Sequence, residues 1–380
     1  MGCGSDDTEP TEPEIETPSL CGDLYPCSNV SLVAHLSLEA LEAAAGNDSW
    51  GWTDPLTSTE YILMGVDNGT AFIDISVPED PVYLGKLPTA STPSPWRDIK
   101  VYNNYAFIIS EAPNHGLQVF DLTRLRNVVS PPETFTADAH YTEFSNGHNI
   151  VINEDTGFAY AVGTETYSGG PHFIDISDPL NPVAAGGYSD EGYTHDAQVI
   201  TYNGPDADYV GQEIFIGSNT DKIVIVDVTD KGNPVLLSSV SYPSVAYTHQ
   251  GWITEDHTYF IVGDELDEKN FGFKTRTLIF DLTDLDNPLY HDSYLGPTTA
   301  IDHNGYVKGS VFYLANYSAG VRIIDISDID NFNEIGYFDT YPDNDLPSFN
   351  GVWNVYPFFE SGHLILSDLD RGLFIIKQNE

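Results

Sequence analysis

The chain has 380 residues, 58 of them acidic and 14 basic, for a formal net charge of −44. That balance excludes nucleic acid and anionic membrane as partners, because binding phosphate needs clustered Lys and Arg. No apolar run is long enough to cross a bilayer. All three cysteines lie in the first 27 residues, which leaves the body of the chain no thiol nucleophile.

Residues 1–19 read as a disordered acidic tether rich in Thr, Glu and Pro. Within it, Gly2-Cys3-Gly4-Ser5-Asp6-Asp7 looks like the end of a bacterial lipobox followed by the start of a mature lipoprotein, which makes Cys3 the expected lipidation site. The charged and apolar signal that ordinarily precedes such a cysteine does not stand before it, so Met1 is expected to mark a truncation. Cys21 and Cys27 enclose a short loop and are expected to form a disulfide, which places the protein outside the cytosol. The expected location is extracellular or facing the periplasm, with a lipid holding the protein to the outer membrane of a bacterium. The partner so implied is the outer surface of the cell envelope. A helical period is visible only over 38–45.

One strand ending then recurs six times: FIDIS at 72–76, VFDLT at 119–123, FIDIS at 173–177, IVDVT at 225–229, IFDLT at 279–283 and IIDIS at 323–327. A degenerate copy, LFIIK, occupies 373–377. The six aspartates recur every 44 to 54 residues, close to the period of a propeller blade. Two strand-like runs precede each copy, as DIKVYN and YAFIIS do at 98–110, and most copies are followed by a Pro/Asn/Asp turn and a further short strand. One unit is therefore four strands: A, B, C with the aspartate, and D. A sheet this small cannot bury both faces alone, and a ring of neighbours covers them without leaving long open edges. The seventh unit has strands A, B and C and then ends, while VSLVAHL at 30–36 aligns with VYLGKL at 82–87. The expectation is an all-β, seven-bladed propeller over 20–380, with four antiparallel strands per blade and the last blade completed by residues of roughly 29–38.

Longer stretches carry a family resemblance. NDSWGWTDP at 47–55, NGTAFID at 68–74, WRDIKVY at 96–102, YTHDAQ at 193–198, YTHQGW at 247–252 and YFDTYP at 337–342 resemble the choice-of-anchor B proteins, and IVIVD at 223–227 is an LVIVD-type repeat. The resemblance runs from about residue 21 to 377. It implies a propeller shown at a bacterial surface on one of several anchors, here a lipid. It implies no reaction, so no catalytic residue carries over.

Aligning the A strands brings scattered histidines into one register. Blades 3 to 6 start with His148-Asn149, His195-Asp196, His249-Gln250 and His303-Asn304. The matching positions are Arg97 in blade 2, Trp353 in blade 7, and Ser49 or Trp50 in blade 1. Strand A is the innermost strand, so these residues enter at one mouth of the channel. Four imidazoles there would suit a transition metal such as Fe, Cu or Zn. The B–C loops are expected at the same mouth with Glu111, His115, Glu165, Asp264 and Glu265, and the D–A loops with His140, Tyr141, Tyr193 and Tyr247. Arg97, Trp353 and these loop groups are the candidate ligand-binding residues. His172 is expected to begin a strand and pack. The acidic loop at 264–268 offers clustered oxygens for Ca²⁺ but lacks the glycine and spacing of an EF-hand. Phosphate-binding glycine loops, Gly-x-Ser-x-Gly elbows and His-Glu-x-x-His motifs do not occur.

Two readings stay open. In one, the histidines hold a metal for a metalloenzyme of unknown reaction or a metal-dependent ligand binder. In the other, they form a structural hydrogen-bond ring, and the protein is a non-catalytic surface module for a small-molecule, glycan or protein ligand.

Overall fold

The computed structural model describes residues 19–379, so Cys3 and the rest of the expected tether up to residue 18 lie outside the described residues. Seven sheets stand in a ring, each with a core of four antiparallel strands. Blade 1 has strand A at Gly46–Thr53, B at Glu60–Val66, C at Gly69–Asp74 and D at Val82–Pro88. The A strands of blades 2 to 7 are Arg97–Tyr102, Asn149–Asn153, Asp196–Thr201, Thr248–Ile253, Gly305–Lys308 and Val352–Tyr356. In blade 7, strand C (Gly372–Gln378) pairs antiparallel with Val30–Leu36, so an N-terminal strand closes the ring.

The alternation of the strands builds the core. In strand B of blade 1, Ile62 and Met64 pack on blade 7, while Tyr61 and Leu63 pack on blade 2. The same period-2 split places one apolar cluster between each pair of neighbouring blades all round the ring. The repeated aspartates stand at the C–D turns. Oδ1 of Asp74, Asp121, Asp175, Asp227, Asp281 and Asp325 accepts the backbone N–H two residues on, at 2.7–2.9 Å. A short polar side chain that bonds its own backbone in this way fixes the turn.

Two blades gain extra outer strands. Glu133–Thr134 runs parallel to strand D of blade 1. Gly85 permits this approach: its φ is +139°, and a Cβ there would stand 2.0 Å from the Glu133 carbonyl oxygen. On blade 6 the hairpin Ser19–Cys21/Tyr25–Ser28 covers strand D (Asn333–Phe338). Cys21 and Cys27 are joined as a disulfide across this hairpin.

Local expectations at two places are corrected. Residues 38–42 form turns and 43–45 an irregular segment rather than helix, because they make up the short link from the closing strand into blade 1. His140 and Tyr141 belong to strand D of blade 2 (Ala139–Tyr141), not to the following loop. The chain first spends Leu122–Asn127 on a 3₁₀ helix and Glu133–Thr134 on the neighbouring blade, so this D strand starts late. Among the described residues, no helix is long and apolar enough to cross a membrane.

Candidate metal and ligand site at the histidine mouth

The four histidines of the shared register stand side by side along an arc. Ring centroids lie 4.1 Å apart for His148–His195, 4.4 Å for His195–His249 and 4.3 Å for His249–His303, and Trp353 continues the series at 4.7 Å from His303. In blade 1 the register falls on Asn47 instead of Ser49 or Trp50, because a bulge follows Gly46. Asp48 Oδ2 accepts the Ile99 N–H as Asp98 Oδ2 accepts the Ile150 N–H, which fixes the alignment. Asn47 turns aside to donate to the Pro95 carbonyl, and Trp50 lines the opposite mouth.

The residues after this register form a separate belt. Asp48, Asp98, Asn149, Gln250, Asn304 and Asn354 each bond the next blade at 2.6–3.2 Å, and Gln198 does so between blades 4 and 5 through the Ile253 N–H at 2.7 Å. Every blade interface is thus tied by a side chain of strand A. Histidine Nδ1 atoms add to the ties: that of His195 bonds the His249 carbonyl at 3.3 Å, and that of His303 bonds the Trp353 carbonyl at 2.5 Å. An Nδ1–H donated to a carbonyl leaves Nε2 as the lone-pair atom.

One loop carboxylate meets the Nε2 atoms of His249, whose Nδ1 has no partner among the described residues, and of His303. Glu265 Oε1 lies 3.7 Å from Nε2 of His249 and 3.7 Å from Nε2 of His303. Ligand atoms of these three residues fall within 4.8 Å of one another. The structure brings these three together, while His148 and His195 extend the arc away from Glu265. His148 Nδ1 bonds Glu111 Oε1 at 2.6 Å. Burial holds the His195 and His249 imidazoles well below their usual pKa, helped by the neighbouring histidines, and holds His303 at about 3. These three rings are neutral at pH 7, the state that ligates metal. Burial also raises Glu265 to about 7.

Above the arc is a cavity of about 290 Å³, walled by Trp96, Tyr317, Phe349 and Trp353. Tyr317 was not anticipated from the sequence. Its hydroxyl donates to Glu265 Oε1 at 3.0 Å, and its φ is +34°. A non-glycine residue keeps such a φ only where its surroundings hold it, and here its carbonyl accepts the N–H groups of Gly320 and Val352. Its position in the B–C loop of blade 6 was the available signal. Below the arc is a throat of about 10 Å³, shared by the four histidines, Asn149, Asn304 and Arg97. Arg97 is buried, not open to the mouth. Its Nη1 pairs with His115 Nε2 at 2.9 Å, its Nε donates to the Val66 carbonyl, and its Nη2 has no partner among the described residues.

The other expected loop groups work elsewhere. His115 is buried against Arg97, and burial lowers its pKa to about 4. Glu165 accepts the backbone N–H groups of Ser145 and Asn146. Asp264 accepts from Tyr242 Oη and from the backbone of Ala246 and Tyr247 at 2.7–2.8 Å, and Asp267 pairs with Arg276 at 2.6 Å. His172 begins strand C of blade 3 and bonds Tyr141 Oη at 2.7 Å.

These features define a seven-bladed propeller with a histidine-glutamate cluster at one channel mouth. The chain carries LVIVD repeats: the model of that repeat matches residues 211–241 and 306–340. No curated protein matches the chain. Among solved structures it is similar to hydrazine synthase of Kuenenia stuttgartiensis, at 12% identity over 82% of this chain and 91% of that one, with a TM-score of 0.56. It is also similar to a functionally unknown protein from Desulfotomaculum acetoxidans DSM 771, at 12% identity over 80% and 90% of the two chains, with a TM-score of 0.53. At such identity the likeness is one of fold alone.

Proposed function

We propose that this chain is a cell-surface propeller of the choice-of-anchor B kind whose histidine mouth binds a divalent transition metal and, beside it, a small organic ligand. His249, His303 and Glu265 form the core of the ligand set, with His195 and His148 next along the arc. The observation that carries this reading is the pair of 3.7 Å separations from Glu265 Oε1 to two Nε2 atoms. Ligands at about 2.1 Å from one metal stand about 3–4 Å apart, and a nitrogen–nitrogen–oxygen set suits Zn, Cu or Fe. A bound metal would supply a Lewis acid to the cavity above it. A purely structural role for the histidines has less support: the residues that follow the shared register tie six of the seven blade interfaces, three of them after a histidine, and the Nδ1 bonds of His195 and His303 leave their Nε2 atoms unused. The lipid anchor on Cys3 and the placement at an outer membrane rest on the sequence resemblance.

The test is metal analysis of untagged protein, followed by calorimetric titration with Zn²⁺, Cu²⁺ and Fe²⁺. Stoichiometric metal in the natural chain, lost in His249→Ala/His303→Ala with an unchanged melting curve, is expected. A natural chain that holds no metal and gives no binding heat with any of the three overturns the reading.

A further inference from the structure

On the far side of the belt the channel opens again as a second cavity of about 280 Å³. Blades 1, 5 and 7 supply one wall from Trp50, Trp252, Tyr356 and Phe358. Phe358 joins them, with its ring 6.1 Å from Trp50, 6.0 Å from Trp252 and 5.4 Å from Tyr356. Val151 and Val199 face this wall from blades 3 and 4.

Three polar groups complete the lining. Lys100 Nζ bonds Asp98 at 2.6 Å and stands 4.7 Å over the Trp50 ring. Gln198 Oε1 accepts the Ile253 N–H, and the Gln198 amide nitrogen makes no protein hydrogen bond among the described residues. Glu154 is exposed at the rim, also without a hydrogen bond there. No residue of this cavity belongs to the histidine mouth.

We propose that this second mouth binds a single pyranose ring, free or at the end of a glycan. Size and lining both point that way. The volume lies at the low edge of the roughly 300–1,000 Å³ typical of ligand pockets, so one ring fits and a chain does not. Lys100 only donates, Glu154 only accepts, and the free half of Gln198 donates. Hydroxyl groups both donate and accept, so a polyol pairs with all three. The flat C–H face of a pyranose packs on indole and phenol rings, which bury apolar area while their polar edges stay wet. An organic cation would meet Lys100, an anion would meet Glu154, and a wholly apolar ligand would strand all three polar groups out of water.

Saturation-transfer NMR tests this on the whole chain with glucose, galactose, mannose and N-acetylglucosamine as probes. At least one is expected to give a saturable signal that Trp252→Ala weakens by about tenfold or more. Trp252→Phe, which keeps a ring in place, should bind nearer to the natural level. Glu154→Gln, at an exposed position, should weaken binding without touching the fold. His249→Ala/His303→Ala should leave sugar binding intact, which separates this site from the metal site. Absence of a saturable signal with all four sugars overturns the proposal, as does a signal indifferent to both Trp252→Ala and Glu154→Gln.

Discussion

Asn354 donates its Nδ2–H to the carbonyl oxygen of Ser49 at 2.6 Å, joining the last blade to the first across 305 positions of sequence. Both groups are fully buried, and Asn354 Oδ1 also accepts from Asn304. Asn354→Leu strands the Ser49 carbonyl and the Asn304 amide. The expected loss is roughly 1–3 kcal/mol for each stranded group, read from urea unfolding, with metal content unchanged. A natural unfolding midpoint in that variant would show that the belt does not hold the ring.

The buried acid Glu268 sets a pH dependence. Burial first, and then the charges of Asp302 and Asp267, push its pKa up to about 11. In the unfolded chain the group titrates near 4.5. Between these values the folded chain keeps a proton that the unfolded chain has lost, so stability falls as pH rises. Glu268→Gln keeps the Oε1 acceptor that bonds the Arg276 N–H and removes the titration. It should stabilise the protein at about pH 8 and flatten the decline between about pH 5 and pH 9. Parallel pH–stability curves for the two chains would refute this.

A turn aspartate should matter locally. Asp227→Ala removes the acceptor for the Thr229 N–H, 2.9 Å away, at a cost of about 1 kcal/mol. Asp227→Asn keeps an acceptor and should lose less. Equal losses in the two variants would mean that charge, not the bond, is what counts.

The outer strap on blade 1 hangs on one position. Gly85→Ala drives a methyl into the Glu133 carbonyl and forces an unfavourable φ, which is expected to cost roughly 1–3 kcal/mol. Faster amide exchange at Glu133–Thr134, with blades 4 and 5 unaffected, is the signature to look for.

The ring was legible in the sequence because its physics is periodic. The Asp-turn recurs at a near-fixed interval, and the orphan strand at 30–36 announced its own partner. The histidine register was legible for the same reason. Glu265 was only one of many loop carboxylates, since which loop reaches over the arc depends on loop path rather than on period. Tyr317 and the Arg97–His115 pair were harder still. Both depend on where a side chain turns after it leaves the strand, and neighbours distant in sequence decide that. The bulge after Gly46 moved blade 1 by two residues, because a bulge breaks the very count that alignment relies on.

The disulfide hairpin lies along the outer edge of blade 6. Ser19, the first described residue, stands on the rim of the disc, away from the channel axis. An anchor at Cys3, as proposed, would join the disc at its edge and at neither mouth. The histidine mouth and the aromatic mouth would then both be free of the point of attachment.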